Sequence, residues 1–511
     1  MTHEQQIADA EIFLKSGRFP ESELVIGLVG ALGADLGKVA LDLESCLRSY
    51  KYEVQQVRVS DDVIAPYFAP EPYDMNNEYD RIRKLMDAGN RAREYAHDNA
   101  VLALGAVSTI LAERKRSENY GVPLGKPKQV YIINSLKHPS EAELLRRVYG
   151  DGFYLLSVYS DFSRRKNHLE RKGLNSEQAK ELMTRDEAED EIPFGQRTRD
   201  TFHLADFFVH LDSDEDKLWN TIERITQLIF GHPYVTPVFD EFAMFMAFSA
   251  SLRSADLSRQ VGALVARDRE VLSTGANDCP QFGGGLYWPK ADSKGAVRDE
   301  ERGRDYTRGY DSNDDRKSRI VDEMTRNLTH KGHIGDETAI WEAVRKSPID
   351  DITEYGRVVH AEMEALLACA RSNIGCKGAH LYCTTFPCHN CAKHLIAAGI
   401  TRVVYVEPYP KSLALDLHDD SAVFGFPEWE NGQDKVTFEP FVGVGPRRFF
   451  DLFSMRHGSG YPVSRKDKET GKTLDWHTEH CVLRMPMLPW AYLQREELAG
   501  DRFNRLLEKG E

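Results

Sequence analysis

The spacing of apolar positions divides the chain into two stretches of alternating strand and helix. In the first half, short apolar runs stand at Leu24-Val25-Ile26-Gly27-Leu28-Val29, Val130-Tyr131-Ile132-Ile133, Phe153-Tyr154-Leu155-Leu156-Ser157-Val158 and Asp206-Phe207-Phe208-Val209-His210, with helix-prone segments between them. Strands that are apolar at successive positions bury both faces, which predicts a parallel sheet with intervening helices. In the second half, Gln260 to Val265 reads as a first core strand behind the apolar helix Phe242 to Phe248, and a second strand ends at Ser273-Thr274-Gly275-Ala276-Asn277. Helix formers then run from Ala361 to Ala368, a buried strand covers Ala379 to Thr385, Pro387 before Cys388 suits a helix start, and a strand covers Arg402 to Val406. The pattern predicts a β-α-β-α-β run.

Gly231-His232-Pro233-Tyr234-Val235-Thr236-Pro237 is the expected linker, so one domain is assigned to 1–230 and a second to 231–511. At 511 residues the chain exceeds the roughly 150 of one such domain, which also requires at least two. The stretch 291–356, dense in Asp, Arg, Lys and Gly, interrupts the second domain. It reads as a solvated insertion, with a lid or an oligomer contact as the alternative. Within it, His330 and His333 lack a nearby cysteine pair to complete a second metal site.

Charge and composition narrow the functions. The balance of 66 Lys+Arg against 81 Asp+Glu, a formal −15, opposes tracking a phosphate backbone, and no basic run interleaved with aromatics offsets it. A DNA strand is therefore not an expected substrate, whereas a small anionic molecule needs only a local basic pocket. No apolar run reaches the ~18–20 residues that span a bilayer. With no secretory leader and eight cysteines, a cytoplasmic, membrane-free protein is expected.

The chemistry concentrates in His360-Ala361-Glu362 and Pro387-Cys388-His389-Asn390-Cys391. One imidazole and two thiolates, from His360, Cys388 and Cys391, can hold Zn2+ with a fourth position open, beside the non-ligand carboxylate of Glu362. Zinc makes hydroxide available near pH 7, and Glu362 can carry its proton, first as base and then as acid. A structural zinc knuckle completed by Cys376 or Cys383 is the alternative, but it has no use for Glu362. Cys369, Cys376, Cys383 and His394 are read as core or surface residues.

The spacing H-x-E…P-C-x-x-C matches the zinc-dependent cytosine and adenine deaminases. Before it, Ser254-Ala255-Asp256-Leu257-Ser258-Arg259-Gln260-Val261-Gly262-Ala263-Leu264-Val265 and Ser273 to Asn277 resemble the opening of deoxycytidylate deaminases. That resemblance implies that Asn277 contacts the sugar, that Arg253 and Ser254 lie close to the phosphate, and that Ala361 lines the substrate pocket. Lys411, in Pro408-Tyr409-Pro410-Lys411-Ser412, is a further candidate for the phosphate; its alternative, as for Arg447-Arg448, is a solvated surface charge.

In the first domain, Gly30-Ala31-Leu32-Gly33-Ala34-Asp35-Leu36-Gly37-Lys38 joins strand to helix, as a phosphate cradle does. Gly30, Gly33, Gly37 and Lys38 are its candidate nucleotide-binding residues, although the glycine spacing is altered and Val39 stands where a magnesium-binding hydroxyl belongs. With Leu136-Lys137-His138-Pro139, Arg164-Arg165, Arg185-Asp186 and Phe194-Gly195-Gln196, the region resembles a nucleoside-monophosphate-kinase-type P-loop domain. The whole resembles the bacterial two-domain deoxycytidylate/dCTP deaminases of anti-phage defence. The fold expected is thus α/β, a P-loop-like parallel-sheet domain followed by a cytidine-deaminase-like α/β/α sandwich.

The resemblance implies hydrolytic deamination of dCTP or dCMP to the deoxyuridine nucleotide, depleting deoxycytidine nucleotides during infection. It further implies a regulatory first domain that senses a nucleotide effector or, in some members, an inhibitory small RNA, and a homo-oligomer is expected. Two alternatives remain: a nucleotide kinase with an appended deaminase-like module, and a cytosine deaminase of single-stranded nucleic acid.

Overall fold

The computed structural model describes residues 11–69, 77–117, 126–189, 192–211, 214–330, 336–345, 347, 349, 355–408, 412–426 and 435–508. The chain forms two compact units, one from Met1–Glu241, Glu407–Pro410 and Pro440–Glu511, the other from Phe242–Val406 and Lys411–Glu439.

In the first unit, β1 (Leu24–Gly30), β2 (Glu53–Arg58), β3 (Gln129–Asn134), β4 (Phe153–Tyr159) and β5 (Phe207–His210) form a parallel sheet in the order β5-β4-β1-β3-β2. All seven residues of β1 are buried, which accounts for its unbroken apolar run. The chain leaves β1 toward β2 on one side and β4 toward β5 on the other, so a crevice opens at the carboxyl ends beside β1. Helix α1 (Leu36–Ser49) follows β1, its Asp35 cap accepting the Lys38 N–H.

The end of the chain completes this unit. Strand Gly443–Val444 pairs antiparallel with β5. Val444, Leu452, Leu483 and Met485 join the core of β1 and α1. Helix Pro489–Glu508 brings Glu496 to the buried Arg114, which also pairs Glu23, at 2.8 and 2.5 Å. A second domain running from 231 to 511 is therefore not the division the structure makes. Its last portion returns to the first unit because its apolar side chains fit that core, a match no local periodicity announces.

The second unit holds β6 (Gly262–Arg267), β7 (Glu270–Ala276), β8 (His380–Cys383), β9 (Arg402–Tyr405), β10 (Ala422–Phe424) and β11 (Val436–Pro440), in the order β10-β11-β9-β8-β6-β7. The β6-β7 hairpin turns on Asp268 and Arg269 at φ 54° and 63°, the backbone a two-residue turn requires. Helices α2 (Phe239–Ser251) and α3 (Ala361–Arg371) touch the sheet at glycines. A Cβ on Gly262 would stand 1.9 Å from the Ala247 carbonyl oxygen, and one on Gly275 2.1 Å from that of Ala361. Gly275 is opposite Ala263, so Gly262 and Gly275 face opposite sides of the sheet and the two helices cover both.

The insertion is only partly solvated. Arg304 and Asp305 are buried, Arg304 pairing Asp278 at 2.9 Å and Asp305 pairing Arg357 at 2.7 Å, and Val321 in helix Ser312–His330 is buried as well. Its charges meet partners of opposite sign, which composition cannot reveal. His333 lies outside the described residues, as does the His330 side chain. Among the described residues, no helix is long and apolar enough to cross a membrane.

Candidate metal centre and its surroundings

His360 caps the N-terminus of α3, and Cys388 caps that of α4 (His389–Ala397), with Cys391 in the first turn of α4. The backbone bridge between Asp278 and Val359 ties the end of β7 to the residue before His360. Two helix starts from two β-α connections thus converge, and the Cys388 and Cys391 sulfurs each lie 3.4 Å from His360 Nδ1. Among the described residues this is the one group of three metal-capable side chains within such reach. Donors around a tetrahedral zinc with ordinary Zn–N and Zn–S bonds stand about 3.5 Å apart, so the donor set fits that ion in kind and spacing.

One of the three donors is poised as a thiolate. Hydrogen bonding to Cys391, then to His360, holds the Cys388 thiol down at about 4. Cys391 is pushed the other way by sharing its proton with Cys388, and the bond to Cys388 raises His360. Glu362, in the first turn of α3, is 3% exposed, and burial pushes its carboxyl above the ordinary carboxylate range. A carboxylate kept from bulk water beside a hydrolytic metal is equipped to hold and release protons.

Asn277 and Ser254 stand together but are engaged by the backbone. Asn277 Oδ1 accepts the Val261 N–H at 2.7 Å and its Nδ2 donates to Arg259 O at 2.8 Å, while Ser254 Oγ donates to Asn277 O at 2.5 Å. An amide has one further donor and one further lone pair, so Asn277 can still meet a hydroxyl. Arg253 donates to Tyr287 O at 2.8 Å and lies 3.7 Å from the Trp288 ring centroid. The Ala361 side chain is buried among Ala263, Val265 and Ala365 and leaves only its backbone for a substrate. Lys411 lies outside the described residues.

Sequence reasoning missed Trp288, Asp278 and Arg304, which fix the Arg253 neighbourhood across the insertion. It also passed over Arg259, an exposed cation whose field reaches His360 and Glu362, although less than their hydrogen-bonding and burial effects. The signal available was its place four residues ahead of Ala263 in the loop that Asn277 organises.

In the first unit, Gly30, Gly33 and Gly37 line a cavity of about 290 Å³ at the crevice beside β1. Gly33 has φ +88°, and a Cβ there would stand 2.7 Å from Arg165 O. Lys38 turns elsewhere: its ammonium sits 3.0 Å from Asp42 and 3.8 Å from Glu215, and it does not line the cavity. Val39 is fully buried. Lys137, absent from the expected set, donates to Gly30 O at 2.9 Å and pairs Asp186 at 3.0 Å.

Residues 237–407 match the cytidine and deoxycytidylate deaminase zinc-binding region. The deoxycytidylate deaminase of Mycobacterium phage D29 is 30% identical over 169 residues, covering 33% of this chain and 94% of that protein. ComE operon protein 2 of Bacillus subtilis is 44% identical over 61 residues, 12% of this chain and 31% of that one. The chain spans roughly a third to a half of the length of most of the curated relatives it matches. Among solved structures, the dCMP deaminase of cyanophage S-TIM5 in complex with dCMP and dUMP is 19% identical over 41% of this chain and all of that one, at a TM-score of 0.23. The family assignment rests on the sequence matches, and zinc is the metal of the matched region.

Proposed function

The chain belongs to the cytidine and deoxycytidylate deaminase family, and we propose that its second unit hydrolyses a free deoxycytidine nucleotide, dCMP or dCTP, to the deoxyuridine nucleotide. The observation that carries this reading is the buried Glu362 carboxylate beside the His360, Cys388 and Cys391 donors. Zinc, held by those three, supplies the Lewis acidity that makes hydroxide available near neutral pH.

The chain's own residues do the rest. A Glu362 oxygen takes a proton from the attacking water as oxygen bonds to C4 of the cytosine, and hands it to N3. The same carboxylate then moves the second proton to the exocyclic nitrogen. The C4–N bond breaks, ammonia leaves and the uracil carbonyl remains, so water and amine balance carbonyl and ammonia. Asn277 offers its remaining amide positions to the sugar, with Arg253 and Arg259 on the phosphate side.

The reading extends to dCTP and, through loss of deoxycytidine nucleotides, to defence against phage. Purified protein with zinc is incubated with dCMP, dCTP and a cytosine-containing oligonucleotide, and uracil nucleotide and ammonia are measured. Release from either free nucleotide is the expected result. No product from both overturns the proposal, and faster release from the oligonucleotide transfers it to a strand.

A further inference from the structure

The last helix, Pro489–Glu508, inserts a buried carboxylate, Glu496, into a cluster that has too little positive charge. Arg114 makes two paired contacts there. Its Nη1 and Nη2 donate to Glu23 at 2.5 and 2.6 Å, and its Nε and Nη2 donate to Glu496 at 2.8 and 3.1 Å. All three side chains are at most 1% exposed, and among the described residues no second cation pairs with either carboxylate. Two ionised carboxylates against one guanidinium would leave a net negative charge out of reach of water, which the interior strongly disfavours.

The donors divide the two acids unequally. Besides Arg114, Glu23 accepts the Lys126 N–H and the Tyr492 hydroxyl, each at 2.5 Å, and four donors hold it as a carboxylate. Glu496 has the guanidinium and, beside it, Tyr149 from helix Pro139–Tyr149. Burial pushes its carboxyl up to about 7, against the pull of Arg114. Burial also pushes up the hydroxyls facing the cluster, Tyr131 on β3, Tyr149 and Tyr492, so they stay neutral. Glu113, next to Arg114 in helix Val101–Ser117, adds to the negative field at Tyr131.

We propose that docking of the last helix takes up one proton, held on Glu496 so that Glu23, Glu496 and Arg114 together carry no net charge, and that the helix loosens when this proton is lost. The first unit thus has a pH-sensitive clasp, independent of the deamination reading. The folded value of Glu496 lies above its ordinary 4.5, so its contribution is complete below that value, falls as pH rises toward about 7 and stays lost above it. The contacts that remain are largely apolar. Phe503 meets the Tyr67 and Phe68 rings edge-on at 5.4 and 6.0 Å, and Gly500 admits Leu111, which would stand 2.9 Å from a Cβ there. The helix therefore loosens without leaving.

Hydrogen–deuterium exchange of the full chain at about pH 5 and about pH 8, expressed as protection factors to remove the intrinsic effect of pH, tests this. Peptides within 489–508 should lose about tenfold to a hundredfold of protection between the two, and more than β4 loses. Glu496→Gln keeps the shape and removes the charge, so its last helix should be equally protected at both. Glu23→Gln leaves Glu496 alone with Arg114, a balanced pair, and should flatten the dependence too. Thermal melts at the lower pH identify a variant that has not folded, and the parent comparison then decides. Equal protection of 489–508 in the parent at both pH values, or an undiminished fall in either folded variant, overturns the proposal.

Discussion

Replacing Glu362 by Gln keeps the shape of the side chain and removes only its ability to accept and release a proton. At 3% exposure no bulk water reaches the position to carry protons instead. A general acid–base group contributes about 10²–10⁴-fold, and this carboxylate serves both the attack and the departure of ammonia. The turnover number for dCMP or dCTP should therefore fall by about 10⁴-fold, or ~5.5 kcal/mol of barrier. Glu362 is not a donor to the metal group, so zinc content should stay at the parent level. Burial already disfavours the charged carboxylate, so the melting temperature should hold or rise. The assay combines ammonia release, zinc by atomic emission and a thermal melt on the same preparation. A variant with more than about a tenth of parent turnover would refute the proton-carrier role, since acid–base catalysis of this size cannot be lost so cheaply. Loss of zinc together with turnover would instead make Glu362 a support of the metal.

Other outcomes follow from neighbouring residues. Cys388→Ala should lose both zinc and activity, and chelation of the parent should reproduce the loss until zinc is restored. Arg259→Gln should raise KM for dCMP by roughly tenfold, the scale of one charged hydrogen bond, while leaving deoxycytidine turnover nearly unchanged; equal effects on both would remove Arg259 from the phosphate. In the first unit, burial, with Arg93 and Arg197 adding to it, holds the His138 imidazole down at about 3. Its folded value lies below the unfolded one, so its contribution is complete above pH ~6.5 and is lost as pH falls from there toward the folded value. Between pH 7 and 5 the parent should lose at most about 2 kcal/mol more than His138→Asn, discounted for solvent near the ring. Asn can still cap Ser140 N–H, as His138 does, and equal acid sensitivity in urea melts would refute the assignment.

The grouping of His360, Cys388 and Cys391 was legible because these side chains sit within short motifs, each at a helix start whose residue types announce it. His360 and Cys388 are caps whose side chains the local backbone aims without help from afar. The parallel strands of the first unit were legible for the same local reason. Arg304 on Asp278, Lys137 at Gly30 O and Glu496 on Arg114 were not, because each pairs residues that meet only after the chain has folded. Lys38 shows the converse: its neighbours in sequence suggest a phosphate ligand, but Asp42, one helical turn on, takes the ammonium first. Asn277 shows a milder form, since the amide assigned to a sugar also holds the loop carrying Arg259 and Val261.

The antiparallel pairing of Gly443–Val444 with β5, and the burial of Leu483 and Met485 beside β1, make the first unit discontinuous in sequence. On a ribosome the strands of the first unit must wait for the residues beyond Pro440, and the second unit can close before its predecessor does. A chain cut short after Pro440 would keep His360, Cys388 and Cys391 on the second unit's own sheet and leave the first unit's sheet without its antiparallel edge strand, so nonsense truncations beyond that point should cost the protein its first unit while sparing its second.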